Sequence, residues 1–259
     1  MYQAMHAFRK MLDSGRTCLG ASITLSDIAV SEALGPSVDF LWIDLEHSPI
    51  GFEALLGHLV AARATGTAAI VRVPSSEKSV VKRALDVGAP AVIAPQVRSA
   101  HEVRQFVQEC RYPPEGMRGF GPRRGCDYGR LRGNEYLEAA NRGVFVVAQI
   151  ERMDAVEQLD GILAIDGLDS IVLGPNDLAH DMGHAGDEDH PQVKQMIEQI
   201  VTRARKAGRY VGMGAKMDKD LIVWAAGIGV QWIQMGGDYA YMLAKCNEVC
   251  AGIRKEIGQ

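Results

Sequence analysis

Three short islands of the chain set charge at the ends of apolar runs: LWIDLEHSP (41–49), VFVVAQIE (144–151) and IVLGPND (171–177). Each begins as the continuous apolar run of a strand buried on both faces and ends in groups that are costly to bury unpaired. Asp177 has no cation beside it in sequence, and Glu151 has only Arg152, the residue that follows it. Brought together, two such carboxylates would repel until one took up a proton, and a divalent cation removes that penalty. A hard, oxygen-liganded ion such as Mg2+ or Mn2+ suits them, with positions left open for water and substrate. Taken singly, each could instead cap the helix that follows, as Asp177 could before LAHDM. His47, carried into a loop by Pro49, can serve as a general base if a carboxylate orients its ring, and otherwise reads as a structural hydrogen-bonding residue. Arg72, the only charge in AAIVRVP, requires an anionic partner. That partner is either a protein carboxylate or a substrate oxygen that gains charge during reaction.

Elements must bring these groups together. Strand-like runs at 18–23, 39–44, 69–73, 91–95, 144–151, 169–174, 210–214 and 231–236 alternate with segments of helical period that end at Gly, as in GFEALLGHLVAARATG. Eight such units without a linker-like break predict one (β/α)8 TIM barrel, an α/β fold, as a single domain over 1–259. Active sites of that fold lie where strands end and βα loops begin. His47 follows the second strand, Arg72 ends the third, Gln149 and Glu151 close the fifth, and Asp177 lies just past the sixth. All converge on one opening. The stretch 111–142, rich in Gly, Pro and Arg, reads as a functional loop above it.

Composition narrows the function. The chain has 259 residues, 47% of them apolar, enough for a sizeable core. Its 28 Lys and Arg against 32 Asp and Glu give a net charge of -4, no footing for nucleic acid and a better fit to a small polar substrate. The start lacks the apolar core of a secretory signal, and no run approaches the roughly 18 apolar residues of a membrane span. Five cysteines without framework spacing agree with a reducing cytoplasm.

Five runs in order, DFLWIDLEHSP, VRVP with VKRALDVGA, CRYPPEGMRGFGPRR, AQIERMDAVEQLD and GLDSIVLGPNDLAHDMGH, resemble the HpcH/HpaI family of class II pyruvate aldolases over nearly the whole chain. That family includes 4-hydroxy-2-oxoheptanedioate aldolase and 2-dehydro-3-deoxyglucarate aldolase. The resemblance implies a carbon–carbon lyase that reversibly cleaves a 4-hydroxy-2-oxo acid to pyruvate and an aldehyde through a metal-stabilised enolate. It implies that Glu151 and Asp177 bind a divalent Mg2+, Mn2+ or Co2+ ion, and that His47 is the base, its basicity raised by Asp86. It further implies that Arg72 stabilises the transition state, while Gln149 and the backbone of Asn176 and Asp177 hold the pyruvyl unit. From the residues alone, Asp86 in KRALDVG reads as a solvated or capping carboxylate. Two other readings stand beside this one: the same enolate site used for oxaloacetate decarboxylation or cleavage of a related acyl substrate, and a barrel that binds a small acid without turnover.

The acceptor half is less specified. Ser22 stands where some family members carry a bulky aromatic residue, and Ser48 where Gly or Ala is common. Arg118, Arg123 and Arg124 meet an acidic acceptor, a neighbouring subunit or solvent. Lys216 reads as a loop residue, not a Schiff-base lysine. Asp44 and Glu46 flank the base and are placed to orient metal-bound waters. His180 and His184 have the spacing of a zinc helix but lack a third ligand. Cys246 and Cys250 predict packing on the last helix, and Gly236-Gly237 a runner-up phosphate cradle. The amphipathic tail 239–257 most simply closes the barrel, whereas the resemblance implies that it packs against a neighbouring subunit in a homohexamer, a trimer of dimers.

Overall fold

Along each central strand, alternate side chains belong to different cores. In β1 (Cys18–Ile23), β2 (Phe40–Asp44), β3 (Ala68–Arg72), β4 (Ala91–Ala94), β5 (Phe145–Ile150), β6 (Ser170–Leu173), β7 (Tyr210–Ala215) and β8 (Trp232–Gly237), one set points outward and one inward, as the two-residue period of a strand requires. The outward set, including Leu41, Val71, Val92, Val146 and Ile171, packs with the surrounding helices. The inward set, including Phe40, Ile70, Ile93, Val147 and Trp232, forms a second core inside the sheet. The computed structural model describes residues 2–258, and its eight parallel strands close in sequence order, β1 to β8 and back to β1. This is the expected (β/α)8 barrel, with each expected strand present to within a residue or two.

The helices are α1 (Gln3–Asp13), α2 (Ile28–Leu34), α3 (Phe52–Thr65), α4 (Lys78–Val87), α5 (Ala100–Cys110), α6 (Gly133–Gly143), α7 (Met153–Glu157), α8 (Leu159–Leu163), α9 (Pro175–Asp181), α10 (Pro191–Lys206), α11 (Lys219–Gly227) and α12 (Asp238–Glu256). Helix α1 was not anticipated as a structural piece. Its buried Met5, Phe8 and Leu12 enter the inner core and plug the floor of the barrel, where the Phe8 ring lies edge-on to Phe40, Phe145 and Trp232 at 5.5–6.5 Å. Each such fully buried side chain contributes about 1.5–3 kcal/mol. Trp232 fits only because its neighbour on β7 is Gly212, whose missing Cβ would strike the indole.

Three expectations need correction. The 111–142 stretch is not all loop, since α6 begins at Gly133. Helix α12 does not close the barrel: its one buried residue is Asp238, while Tyr239, Met242, Leu243, Val249 and Ile253 are exposed. Cys246 and Cys250 are likewise exposed. No helix among the described residues is long and apolar enough to cross a membrane.

Candidate active site

The inward register that fills the barrel with Phe40, Trp42 and Ile70 continues one step further up as Asp44 and Arg72, and on β5 the series Phe145, Val147 ends in Gln149, with Glu151 just beyond the strand. Core-building positions therefore become chemistry-bearing ones at the carboxyl ends, without any change in strand geometry. A cleft of about 690 Å3 opens there, and its lining includes His47, Arg72, Gln149, Asn176 and Asp177.

Arg72 finds its partner inside the protein. Its Nε donates to Asp44 Oδ1 at 2.9 Å and its Nη2 to Asp44 Oδ2 at 2.6 Å, a two-point geometry that only a guanidinium supplies. Burial works against the Arg72 charge, but the Asp44 and Glu46 carboxylates outweigh it and raise its pKa. The same Asp44 carboxylate accepts the backbone N–H groups of Glu46 at 3.0 Å and His47 at 3.4 Å. Ser48 Oγ donates to the Asp44 carbonyl. The turn that carries the base is thus folded around the carboxylate that holds the arginine.

Glu46, expected beside the base, lies between it and Arg72. Its Oε2 lies 3.1 Å from Arg72 Nη1 and 3.5 Å from His47 Nε2, yet is buried without an aligned hydrogen-bond donor. Burial raises its pKa against the opposing pull of Arg72 and His47. His47 itself is open to solvent at the rim, its side chain 61% exposed. Asp86, assigned by resemblance to support His47, is not brought to it within the chain. It accepts from Arg118 Nη2 at 2.9 Å and does not line the cleft.

Across the cleft, behind the lining residues Gln149 and Gly174, the Glu151 carboxylate is fully buried. Oε1 accepts from the Gln96 backbone N–H at 2.8 Å, and Oε2 from Gln149 Nε2. Gln96 reaches this position in a left-handed backbone, φ 52°, a conformation that a non-glycine residue holds only where its surroundings enforce it. Burial pushes the Glu151 carboxyl up to about 7, helped by the nearby Asp177 and Glu46 carboxylates. Gly174 makes room for it: a Cβ there would overlap Glu151 Oε2 and stand 3.0 Å from Gln149 Nε2. Nothing in the sequence distinguished Gly174 or Gln96. Asp177 lies in the first turn of α9 at the exposed side of the cleft.

These groups fit a divalent cation. Arg72 is held by Asp44 and Glu46, the Glu151 carboxylate has neutral donors only, the Asp177 carboxylate has no hydrogen-bond donor or ion-pair partner among the described residues, and Gln149 Oε1 is buried without a partner. All are hard oxygen ligands. Among the described residues no group of three or more His, Cys, Asp or Glu side chains forms a closed ligand set, so the remaining coordination positions fall to substrate and solvent oxygens.

Other candidate groups serve elsewhere. Arg118 is buried against the Tyr112 ring and Asp86, and Arg124 is buried donating to the Leu59 and Gly88 carbonyls, so neither is a solvated loop residue and neither lines the cleft. Lys216 lies at the rim, 2.9 Å from Glu188 and 3.0 Å from Asp189, which raise its pKa and keep its amine protonated. His184 stacks on His190 with ring centres 3.6 Å apart. At Gly236-Gly237 the start of α12 is taken by the Asp238 carboxylate, which accepts from the N–H groups of Thr24 and Leu25 at 2.7 and 2.9 Å. That disfavours phosphate.

Comparison with known proteins gives consistent results. A family model described as HpcH/HpaI aldolase/citrate lyase matches residues 24–240. The chain is 36% identical over 247 residues to a 4-hydroxy-2-oxovalerate aldolase of Rhodococcus jostii, covering 95% of this chain and 94% of that one. It is 33% identical over 254 residues to a hydroxypyruvate/pyruvate aldolase of Roseovarius nubinhibens, covering 97% and 98%. Among solved structures it is similar to an HpcH/HpaI aldolase/citrate lyase family protein from Burkholderia cenocepacia, with a TM-score of 0.91, 30% identity and coverage of 96% and 99%.

Proposed function

Because the chain belongs to the HpcH/HpaI aldolase/citrate lyase family, we propose that it catalyses the reversible, metal-dependent cleavage of a 4-hydroxy-2-oxo acid to pyruvate and an aldehyde. The observation that carries this reading is the division of the cleft into two halves of opposite need. On one side a clamped guanidinium faces in, and on the other two carboxylates lack a cation.

Glu151 and Asp177 would hold a divalent Mg2+, Mn2+ or Co2+ ion, which supplies Lewis-acid polarisation of the substrate keto group. Gln149 and the N–H groups of Asn176 and Asp177, free of helical acceptors in the first turn of α9, bind the pyruvyl carboxylate. His47 takes the methyl proton and returns it to the new hydroxyl oxygen, and Glu46 at 3.5 Å stabilises the imidazolium meanwhile. Arg72, fixed in direction by Asp44 and Glu46, turns the Nη hydrogens that neither carboxylate takes toward the oxygen that gains charge. The helices that pack around the barrel keep bulk water from all but the mouth.

The exposed apolar side of α12 supports a homo-oligomer built on that helix, for which a hexamer made of three dimers is the proposed form. Five cysteines, odd in number and without framework spacing, support a cytoplasmic setting.

Pyruvate incubated in deuterated water with the enzyme and Mn2+ or Mg2+ tests the reading directly. Loss of the methyl proton signal, dependent on the metal and abolished in His47→Ala, is expected. No exchange with any divalent metal overturns it.

A further inference from the structure

The pyruvate-binding groups occupy β2, β3, β5 and β6, so the remaining wall of the cleft is made by β7, β8 and β1. Its inward positions are small or neutral: Gly214 on β7, Gln234 on β8 and Ser22 on β1, all lining the cleft. Gln234 Nε2 donates to the Gly236 carbonyl at 2.6 Å, which fixes the amide so that Oε1 is its free end. That oxygen faces the space left by Gly214, since a Cβ on residue 214 would lie 3.5 Å from it. Ser22 pairs in register with Gly237 and stands across the same glycine floor, and no hydrogen bond to its hydroxyl is formed among the described residues.

The charged neighbours add a bias. Lys216, just past the end of β7, lines the cleft on this side, but Glu188 and Asp189 both hold it, so this part of the rim carries one ammonium and two carboxylates. A carboxylate on the incoming substrate would face the Gln234 acceptor oxygen and that net negative rim. A hydrocarbon tail would cover Gln234 Oε1 and the Ser22 hydroxyl and leave them unpaired, which is unfavourable for each group. A carbon bearing hydroxyl groups satisfies both, donating to Gln234 and exchanging a hydrogen bond with Ser22.

We propose that this wall is the acceptor subsite and that it selects a short, neutral, hydroxylated aldehyde, with Gln234 as the specificity-determining residue. The inference rests on the aldolase reading above. In the condensation the methyl carbon of pyruvate bonds to the aldehyde carbon, and the carbonyl pair of the aldehyde receives the proton that His47 removed. No atom is lost and no further reactant is needed.

The test uses the full-length enzyme supplied with Mn2+, pyruvate and one of three acceptors of similar length: glyceraldehyde, butanal or succinic semialdehyde. Each condensation rate is normalised to the same protein's pyruvate methyl exchange. The wild type is expected to favour glyceraldehyde in kcat/KM over both others. Gln234→Leu should cut its preference over butanal roughly five- to tenfold, mainly through KM, and Gln234→Asn should keep part of it. Exchange with an unaltered preference in Gln234→Leu, or a wild-type preference for succinic semialdehyde, overturns this inference alone. Absence of exchange in the wild type overturns the aldolase reading and the inference with it.

Discussion

Arg72 clasps Asp44 through two separate nitrogens, at 2.9 and 2.6 Å, while the same carboxylate holds the backbone that presents His47. Arginine and base therefore share one anchor. Asp44 is 3% exposed, so its charge and that of Arg72 are tolerated only as a pair.

Replacing Arg72→Lys keeps the charge and loses the two-point grip. Methyl exchange is expected to fall roughly a hundredfold, the scale of losing one oxyanion donor, with the circular dichroism spectrum preserved. Asp44→Ala should cost more in stability, about 3 kcal/mol, by leaving the buried guanidinium with Glu46 as its one carboxylate partner. Unchanged turnover in Arg72→Lys would contradict its assigned role.

Gly174 has a negative φ that any residue adopts, so Gly174→Ala acts only through its methyl group, which meets the Glu151 carboxylate. Mn2+ affinity, read by electron paramagnetic resonance, is expected to weaken about ten- to a hundredfold, and the melting temperature to fall modestly as the buried carboxylate gives way. Intact affinity would remove Glu151 from the metal site.

The buried Glu151 carboxyl, raised from 4.5 to about 7, predicts a pH dependence of stability for the metal-free protein. Below about 4.5 it is protonated in both folded and unfolded chains. As pH rises to 7 the unfolded chain ionises first, so the native state loses on the order of 2–3 kcal/mol, and above 7 the loss levels off. Glu151→Gln should remove this decline, so its melting temperature gains on the wild type between pH 4.5 and 7. Added Mn2+ binds the ionised form and should close the gap above pH 7. Parallel curves for the two proteins would refute the shift.

Glu46 and Asp86 separate two accounts of the base. Glu46→Gln should slow methyl exchange about tenfold or more by removing the carboxylate beside His47. Asp86→Asn should lower stability by unpairing Arg118, whose side chain is 1% exposed. Asp86 can support His47 only across a boundary between copies, because within one chain Arg118 engages it. Co-refolding inactive His47→Ala with Asp86→Asn measures this: recovery of exchange places the two residues in one shared site, and no recovery leaves Asp86 to Arg118.

Light scattering tests the exposed helix. Leu243→Glu combined with Ile253→Glu, both more than half exposed in the single chain, should shift the protein to a smaller species. An unaltered mass would show that α12 does not hold copies together.

The strands were legible because a segment buried on both faces must be apolar throughout, and the places where that rule breaks, Asp44, Arg72 and Glu151, are the site. What joins them was not legible. Asp44 and Arg72 are opposite each other through the β2–β3 register, and Glu46, next to His47 in sequence, meets Arg72 across the same pair of strands. Sequence spacing carries neither contact to Arg72. The Asp86 assignment came from likeness alone, and the single chain gives it a different partner. Helix α1 did leave a signal, the spacing of Met5, Phe8 and Leu12, which is the one buried stripe of an otherwise polar segment.

That helix also couples distant parts of the fold. The rings around Phe8 are spread from β2 to β8: Phe40, Phe145 and Trp232. Its contact with Trp232 forms only once β8 is in place, so sealing the floor and closing the sheet are one cooperative event, and a folding intermediate that lacks β8 leaves part of the apolar side of α1 uncovered.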